Sequence, residues 1–250
     1  MSTHALGIDV GGSGIKGAVV DLQTGEFSTE RHKIKTPKKS TPEAVAEVIK
    51  EIVEHFDYQG EIGVTLPAVI QDQVARSAAN IDKEWIGTNV NELLARHLPD
   101  PTIAVLNDAD AAGLAEVEFG LPEARTGTTL FLTFGTGIGS ALLIDGTLVP
   151  NTELGHLIVE GEEAEKIASS AAKDREELSY KKWSKRVTTV LQEYERLINP
   201  TQFVVGGGIS REHEKWVPRL EVDTPVLPAQ LLNRAGIVGA ALAAAGRVTP

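Results

Sequence analysis

Residues 6–21 read LGIDVGGSGIKGAVVD. The apolar run from Ala5 to Val10, the tetrapeptide Gly11-Gly12-Ser13-Gly14 and a second apolar run from Ile15 to Asp21 predict two antiparallel strands joined by a glycine turn. The same pattern returns in residues 130–145, LFLTFGTGIGSALLID, around Gly135-Thr136-Gly137. A shift of 124 residues lays Gly11 on Gly135, Val19 on Leu143 and Asp21 on Asp145. Two such units half a chain apart predict two related lobes with a cleft between them.

Between the repeats, Thr41-Pro42 opens a helix, and Val45, Val48, Ile49, Ile52, Val53 and Phe56 recur at helical spacing. Ile62 to Leu66 and Ile103 to Leu106 are short strands, and Ala109 to Glu118 begins a helix. A polar helical stretch runs from Ala164 to Ile198 and stops at Asn199-Pro200. Phe203-Val204-Val205 is a buried-type strand ending in Gly206-Gly207-Gly208, and a last, Ala-rich helix covers residues 233–245. This alternation predicts an α/β chain with helices on its sheets. The lobes are expected at residues 1–106, completed by the C-terminal helix 233–250, and at 107–232.

Composition removes several function classes. The 250 residues are 42% hydrophobic without an apolar stretch of bilayer length or a signal-type start, so a soluble, cytoplasmic chain is expected. No cysteine is present, which excludes disulfides, thiolate nucleophiles and cysteine-bound zinc. A net charge of −11 argues against nonspecific binding of a large polyanion by the protein as a whole, and no nucleic-acid partner is expected.

The three glycine turns each close a strand, where backbone N–H groups approach phosphate oxygens without a Cβ in the way. Neither a P-loop nor a dinucleotide fingerprint is present. Asp9, just before the first turn, suits Mg²⁺ beside phosphates, and Lys16, just after it, suits their charge; a turn-capping Asp and a solvated edge Lys are the plainer readings. Asn107 and Asp108 stand at a strand-to-helix junction. They read either as helix caps or as a general base on a sugar hydroxyl with a neighbouring hydrogen-bonding amide. Glu153 and His156 in Glu153-Leu154-Gly155-His156 suit hydroxyl recognition, because HExxH spacing and cysteines are missing.

Together these segments resemble the ROK family of sugar kinases and repressors, within the actin-like ATPase superfamily, from about Leu6 to Ala245. LGIDVGGSGIKGAVVD is similar to the family's first phosphate motif, LNDADAAG to its catalytic segment, LTFGTGIGSALLIDG to its second phosphate motif and ELGH to its sugar-binding motif. The resemblance implies a two-lobed actin-like (ribonuclease H-like) fold and a homodimer. It makes Asp108 the base on the sugar 6-hydroxyl, Asn107, Glu153, His156 and Glu165 sugar contacts, and Asn80 a substrate-loop contact. It assigns Asp9 to Mg²⁺ and Gly11, Gly12, Gly135, Thr136 and Gly137 to donor phosphates, and the reading of the turns themselves adds Ser13, Lys16, Gly207 and Gly208. A repressor of the family would need a helix-turn-helix ahead of a strand that here starts by Ala5.

Most family members carry zinc-binding cysteines between the ExGH motif and the later Glu. Here residues 157–164 form a short cysteine-free link, so no zinc is expected. This departure, NDADAAG and KDREELSYKKWSKRV resemble the actinobacterial members that phosphorylate glucose with inorganic polyphosphate and often ATP. Mannose and an ATP-only donor remain alternatives. Residues 173–186 hold six basic and three acidic residues, and residues 31–39 hold five basic and no acidic ones, leaving −19 on the rest. Lys173, Arg175, Lys181, Lys182, Lys185 and Arg186 are therefore expected to form a polyphosphate track.

Overall fold

The computed structural model describes residues 3–98 and 102–246. The chain forms two compact units, one running to Ala115 and resuming at Arg234, the other from Glu116 to Asn233. In chain order the first unit contains β1 (His4–Gly11), β2 (Gly14–Asp21), β3 (His32–Ile34), α1 (Pro42–His55), β4 (Glu61–Leu66), the small hairpin β5 (Ile70–Gln71) and β6 (Val74–Ala75), α2 (Val90–Ala95), β7 (Thr102–Asn107) and α3 (Asp108–Ala115). The second contains β8 (Thr128–Phe134), β9 (Ile138–Ile144), β10 (Thr147–Val149), β11 (Ile158–Val159), β12 (Glu162–Glu163), α4 (Ala164–Ala168), α5 (Ser170–Arg175), α6 (Tyr180–Ile198), β13 (Gln202–Gly206) and β14 (Val226–Pro228). The final helix, α7 (Ala235–Ala244), belongs to the first unit.

Each unit is built on a five-stranded sheet, ordered β3-β2-β1-β4-β7 in the first and β10-β9-β8-β13-β14 in the second. In both, an antiparallel meander supplies three strands and parallel pairings add two more. The repeat read from the sequence is thus a repeat of sheet plan. The turns differ in length, however. Gly11 pairs with Gly14 across a two-residue turn, whereas Phe134 pairs with Ile138 across three residues. A uniform shift of 124 residues therefore cannot superpose both strands of the two hairpins.

Helix α1 starts as expected. The Thr41 side chain accepts from the Ala44 N–H, Pro42 occupies the first turn, and Val45, Ala46, Ile49, Ile52 and Val53 bury one stripe. It lies on the sheet face that carries Gly17, where a Cβ would meet Ile52 Cγ2 at 2.6 Å. Helix α7 covers the opposite face. It is buried on all sides because β1, β4, β7 and α3 surround it, and glycines let the backbones touch. A Cβ on Gly7 would sit 1.9 Å from the Ile237 carbonyl oxygen, and one on Gly63 1.8 Å from that of Ala240.

A third such contact corrects the expected boundary at 106/107. A Cβ on Gly239 would fall 1.9 Å from the Ala111 carbonyl oxygen, so α3 is locked to α7 and the first unit continues to Ala115. Beyond it the chain widens into a π-type turn, Glu116–Gly120, in place of the expected continuous helix. The buried Glu116 carboxylate accepts from the Gln230 and Leu231 N–H groups at 2.9 and 2.7 Å.

The stretch read as one helix over 164–198 is three. Ser169 and Ser179 leave helical geometry and cap α5 and α6, accepting from Ala172 and Lys182 N–H. Helix α6 ends where expected, with Asn199 left-handed at φ 54° before Pro200. Its Trp183 meets Phe134 and Trp216 edge-on, at centroid distances of 5.9 and 5.0 Å, and all three rings are fully buried. This cluster anchors the end of β8 just before its glycine turn. No described helix is long and apolar enough to cross a membrane.

Candidate functional site

In the first unit, sheet register assembles the site. Asp9 of β1 pairs with Lys16 of β2 on one side and Thr65 of β4 on the other. Lys16 Nζ lies 3.2 Å from Asp9 Oδ2, and the Thr65 hydroxyl donates to Asp9 Oδ1 at 3.1 Å. A Cβ on Gly236, in the first turn of α7, would come within 3.3 Å of Asp9 Cγ, so the carboxylate faces the positive end of that helix. The turn itself, Gly12-Ser13, is exposed. Asn80, left-handed at φ 59°, lies beside it, with its carbonyl oxygen 3.6 Å from a Cβ on Gly12.

Asn107 and Asp108 differ in burial and in hydrogen bonding. Asn107 is buried and caps α3. Its Oδ1 accepts from the Ala109 and Asp110 N–H groups at 2.8 and 3.1 Å, and its Nδ2 donates to the Ala68 carbonyl at 3.2 Å. Its second amide hydrogen makes no hydrogen bond among the described residues. Asp108 is only half-buried, and its Oδ1 accepts from the Ala109 N–H at 2.9 Å.

In the second unit, β8 and β13 are parallel neighbours, with Thr133 opposite Gly206. The turns Gly135-Thr136-Gly137 and Gly206-Gly207-Gly208 therefore stand side by side at one edge of one sheet. Gly207 needs its φ of 86°, since a Cβ there would strike the Phe134 backbone at 2.4 Å. Gly135 and Gly208 face open space. Beside the first of these turns, Glu165 Oε2 accepts from the Ile138 N–H at 3.3 Å and would lie 2.1 Å from a Cβ on Gly137.

Glu165 also reaches the ELGH segment. His156 Nδ1 lies 3.5 Å from Glu163 Oε1 and 4.0 Å from Glu165 Oε1, and its Nε2 lies 3.9 Å from Glu153 Oε2. Burial pushes the Glu153 carboxyl up, the His156 charge pulls it down, and Glu165 pushes it up again. His156, Glu163 and Glu165 each place one donor atom within 4.8 Å of the others, a spacing open to a cation. Glu163 is also held by Lys166 Nζ at 2.8 Å, and this neighbour keeps its carboxyl below the usual range. Sequence reasoning missed Glu163 and Thr65. The first sits two residues before Glu165, and the second is found only through strand register.

The expected track is not a row of free cations. Arg175 and Arg186 both contact Glu176, at 3.2 and 2.6 Å, and bond the Lys166 and Ile167 carbonyls. They line a cavity of about 460 Å³ that is equally supplied with Glu160, Glu162 and Glu176. Lys173 pairs with Asp174 and lies 4.8 Å over the Tyr180 ring. Lys181, Lys182 and Lys185 are exposed on the first turns of α6, with no described carboxylate at ion-pair distance.

An α/β chain with two five-stranded sheets of one plan, glycine turns at their strand ends and a carboxylate at a strand-to-helix junction has the fold of the actin-like sugar-kinase class. The ROK family model matches residues 5–169, and the chain belongs to the ROK family. It is 53% identical over 98% of its length to a polyphosphate glucokinase of Mycobacterium tuberculosis, covering 93% of that protein. It is 49% identical to the Mycobacterium leprae polyphosphate glucokinase, again over 98% of this chain and 76% of that one. The crystal structure of an inorganic polyphosphate/ATP-glucomannokinase from Arthrobacter sp. strain KM superposes with a TM-score of 0.93 at 44% identity, covering 98% of this chain and all of that one.

Proposed function

We propose that this chain phosphorylates glucose at its 6-hydroxyl, taking the phosphoryl group from inorganic polyphosphate and also from ATP. The observation that carries the reading is the identity of about half of all residues, along nearly the whole chain, with polyphosphate glucokinases. The glucomannokinase likeness supports ATP as a second donor and keeps mannose as a second acceptor.

Asp108 accepts the 6-hydroxyl proton as that oxygen attacks the terminal phosphorus. The new O–P bond forms while the bond to the rest of the donor breaks, and the donor leaves one phosphate shorter. Its half-buried carboxylate, beside a capped helix start and bonded to the Ala109 N–H, supports that role. Asn80 and the spare amide hydrogen of Asn107 are assigned to sugar hydroxyls in the first unit, and Glu153, His156 and Glu165 in the second. Gly11, Gly12, Ser13 and Lys16 hold phosphates in the first unit, as Gly135, Thr136, Gly137, Gly207 and Gly208 do in the second.

Asp9 fits Mg²⁺, since each oxygen accepts one bond from Lys16 or Thr65 and retains a lone pair for a metal-bound water. When bound there, the ion offsets phosphate charge. A homodimer and two lobes closing over a cleft belong to the same reading. The deciding experiment offers purified protein glucose with either long-chain polyphosphate or ATP under equal Mg²⁺. Glucose 6-phosphate from polyphosphate is the expected product. Turnover with ATP alone would make the chain an ATP-only glucokinase.

A further inference from the structure

We propose that the edge strand β3 and the segment after it, residues 31–39, carry the run of donor phosphates beyond the first glycine turn, with Lys33 the cation next to that turn. The inference rests on the polyphosphate reading above and assigns it a surface.

Exposure alternates along this segment. Arg31, Lys33 and Lys35 are exposed, while His32 and Ile34 are half-buried. The alternation is that of a strand, and packing fixes its sense. Ile34 joins the core cluster of the first unit, and His32 stacks on His55 of α1 with ring centroids 3.8 Å apart. Three cations are left on one face, with about 7 Å between successive members. The next residue, Thr36, donates its hydroxyl to the Gly11 carbonyl at 2.5 Å and so fastens the segment to the turn.

The row continues inward across the sheet. Lys33 is the register partner of Lys16, which is the partner of Asp9. Two lysines facing each other across a strand pair repel. Asp9 offsets Lys16, but Lys33 has no described carboxylate at ion-pair distance. Its side chain crosses Gly14, where a Cβ would lie 2.4 Å from Lys33 Cε and 3.3 Å from its Nζ, so the ammonium lies at the turn.

Arg31, Lys35, Lys38 and Lys39 likewise form no ion pair among the described residues, in a chain with 35 acidic side chains. In the 173–186 tract, by contrast, half of the six expected cations are engaged by carboxylates. Lysine on an edge strand also blocks sheet-to-sheet pairing. That role needs neither a lysine opposite Lys16 nor one laid across a phosphate turn. A row of cations with no ion-pair partner among the described residues, leading away from such a turn, fits a linear polyanion with a charge on every unit. The segment's one aromatic ring, His32, is already used in its stack, so the segment offers no free aromatic platform for bases.

The test is steady-state kinetics of the full chain with long-chain polyphosphate and with tripolyphosphate. The combined K33Q/K35Q/K38Q/K39Q variant should raise the KM for the long chain at least tenfold and that for tripolyphosphate distinctly less. Its plot of log KM against log salt should be shallower than the parent's. K33Q alone should raise both values, and K33R should restore them. The proposal is overturned if, in the combined variant, long-chain KM and salt slope stay as in the parent or both donors suffer alike. It is also overturned if the effect follows K181Q/K182Q/K185Q instead, or if a single-stranded oligonucleotide of equal charge competes as well as polyphosphate. A parent chain that turns over ATP but not polyphosphate would overturn the donor reading itself, before any variant is compared.

Discussion

Lys16 and Asp9 are cross-strand partners whose charged ends meet at 3.2 Å beside the first glycine turn. Thr65, on the strand at Asp9's other side, holds the second carboxylate oxygen. Sheet register therefore delivers a fixed, partly exposed carboxylate to the place where donor phosphates are proposed to lie.

Replacing that carboxylate should hurt turnover far more than folding. Asp9→Asn is expected to lower kcat by about 10²–10³-fold, the range for losing one preorganised electrostatic group. The pair is part-exposed and contributes at most about 1 kcal/mol to stability. Kinetics and thermal unfolding on one preparation check this. An unfolded variant, or one with parental kcat, would refute the role.

Asp108→Asn separates chemistry from structure at the junction of β7 and α3. Asn107 supplies the cap, so the helix start should survive the change. If Asp108 is the base, kcat should fall by about 10²–10⁴-fold. Glucose binding, followed by calorimetry, should stay near the parental value. Near-normal turnover would remove Asp108 from the role.

Glu153 offers a pH test. Its carboxyl is raised chiefly by burial, so the folded state binds that proton more tightly than the unfolded chain does. The sign follows. Stability falls as pH rises from the ordinary carboxylate range through the raised folded value, and the penalty persists above it. Glu153→Gln should therefore melt higher than the parent at neutral pH, with the gap closing in acid, while its KM for glucose rises. A variant that melts lower at neutral pH would contradict the assignment.

Gly239→Ala tests the packing that joins α7 to α3. The added methyl would meet a carbonyl oxygen at 1.9 Å, so the backbones must part. A loss of about 1–3 kcal/mol or more is expected, read as a lower Tm. Gly161, whose Cβ would meet nothing within 4 Å but whose φ is 90°, is the contrast: Gly161→Ala strains only the local backbone.

Several features were legible because they are local. Alternation and glycine placement defined both hairpins, Thr41-Pro42 marked the start of α1, and Asn199-Pro200 marked the end of α6. Other local signals were outvoted. The helical pattern over 164–198 concealed two serine caps, since a serine side chain competes for backbone N–H groups without disturbing the apolar spacing. The boundary after Leu106 was misplaced because the tie holding α3 to the first unit comes from Gly239, over a hundred residues away in sequence.

By itself, then, the sequence determined the strand-turn-strand repeat, the α/β class and the residue types of the candidate site, because periodicity, turn chemistry and motif spacing all act within a few residues. Tertiary structure alone decided which of those residues meet. It set Thr65 and Lys16 on either side of Asp9, placed two glycine turns at one sheet edge, and brought Glu163 to His156. It also decided which cations are spent: Arg175 and Arg186 on Glu176, whereas the five between Arg31 and Lys39 form no ion pair among the described residues. Charge counts along a chain cannot tell these apart, because neutralisation depends on distances of a few ångströms between residues that only folding brings together.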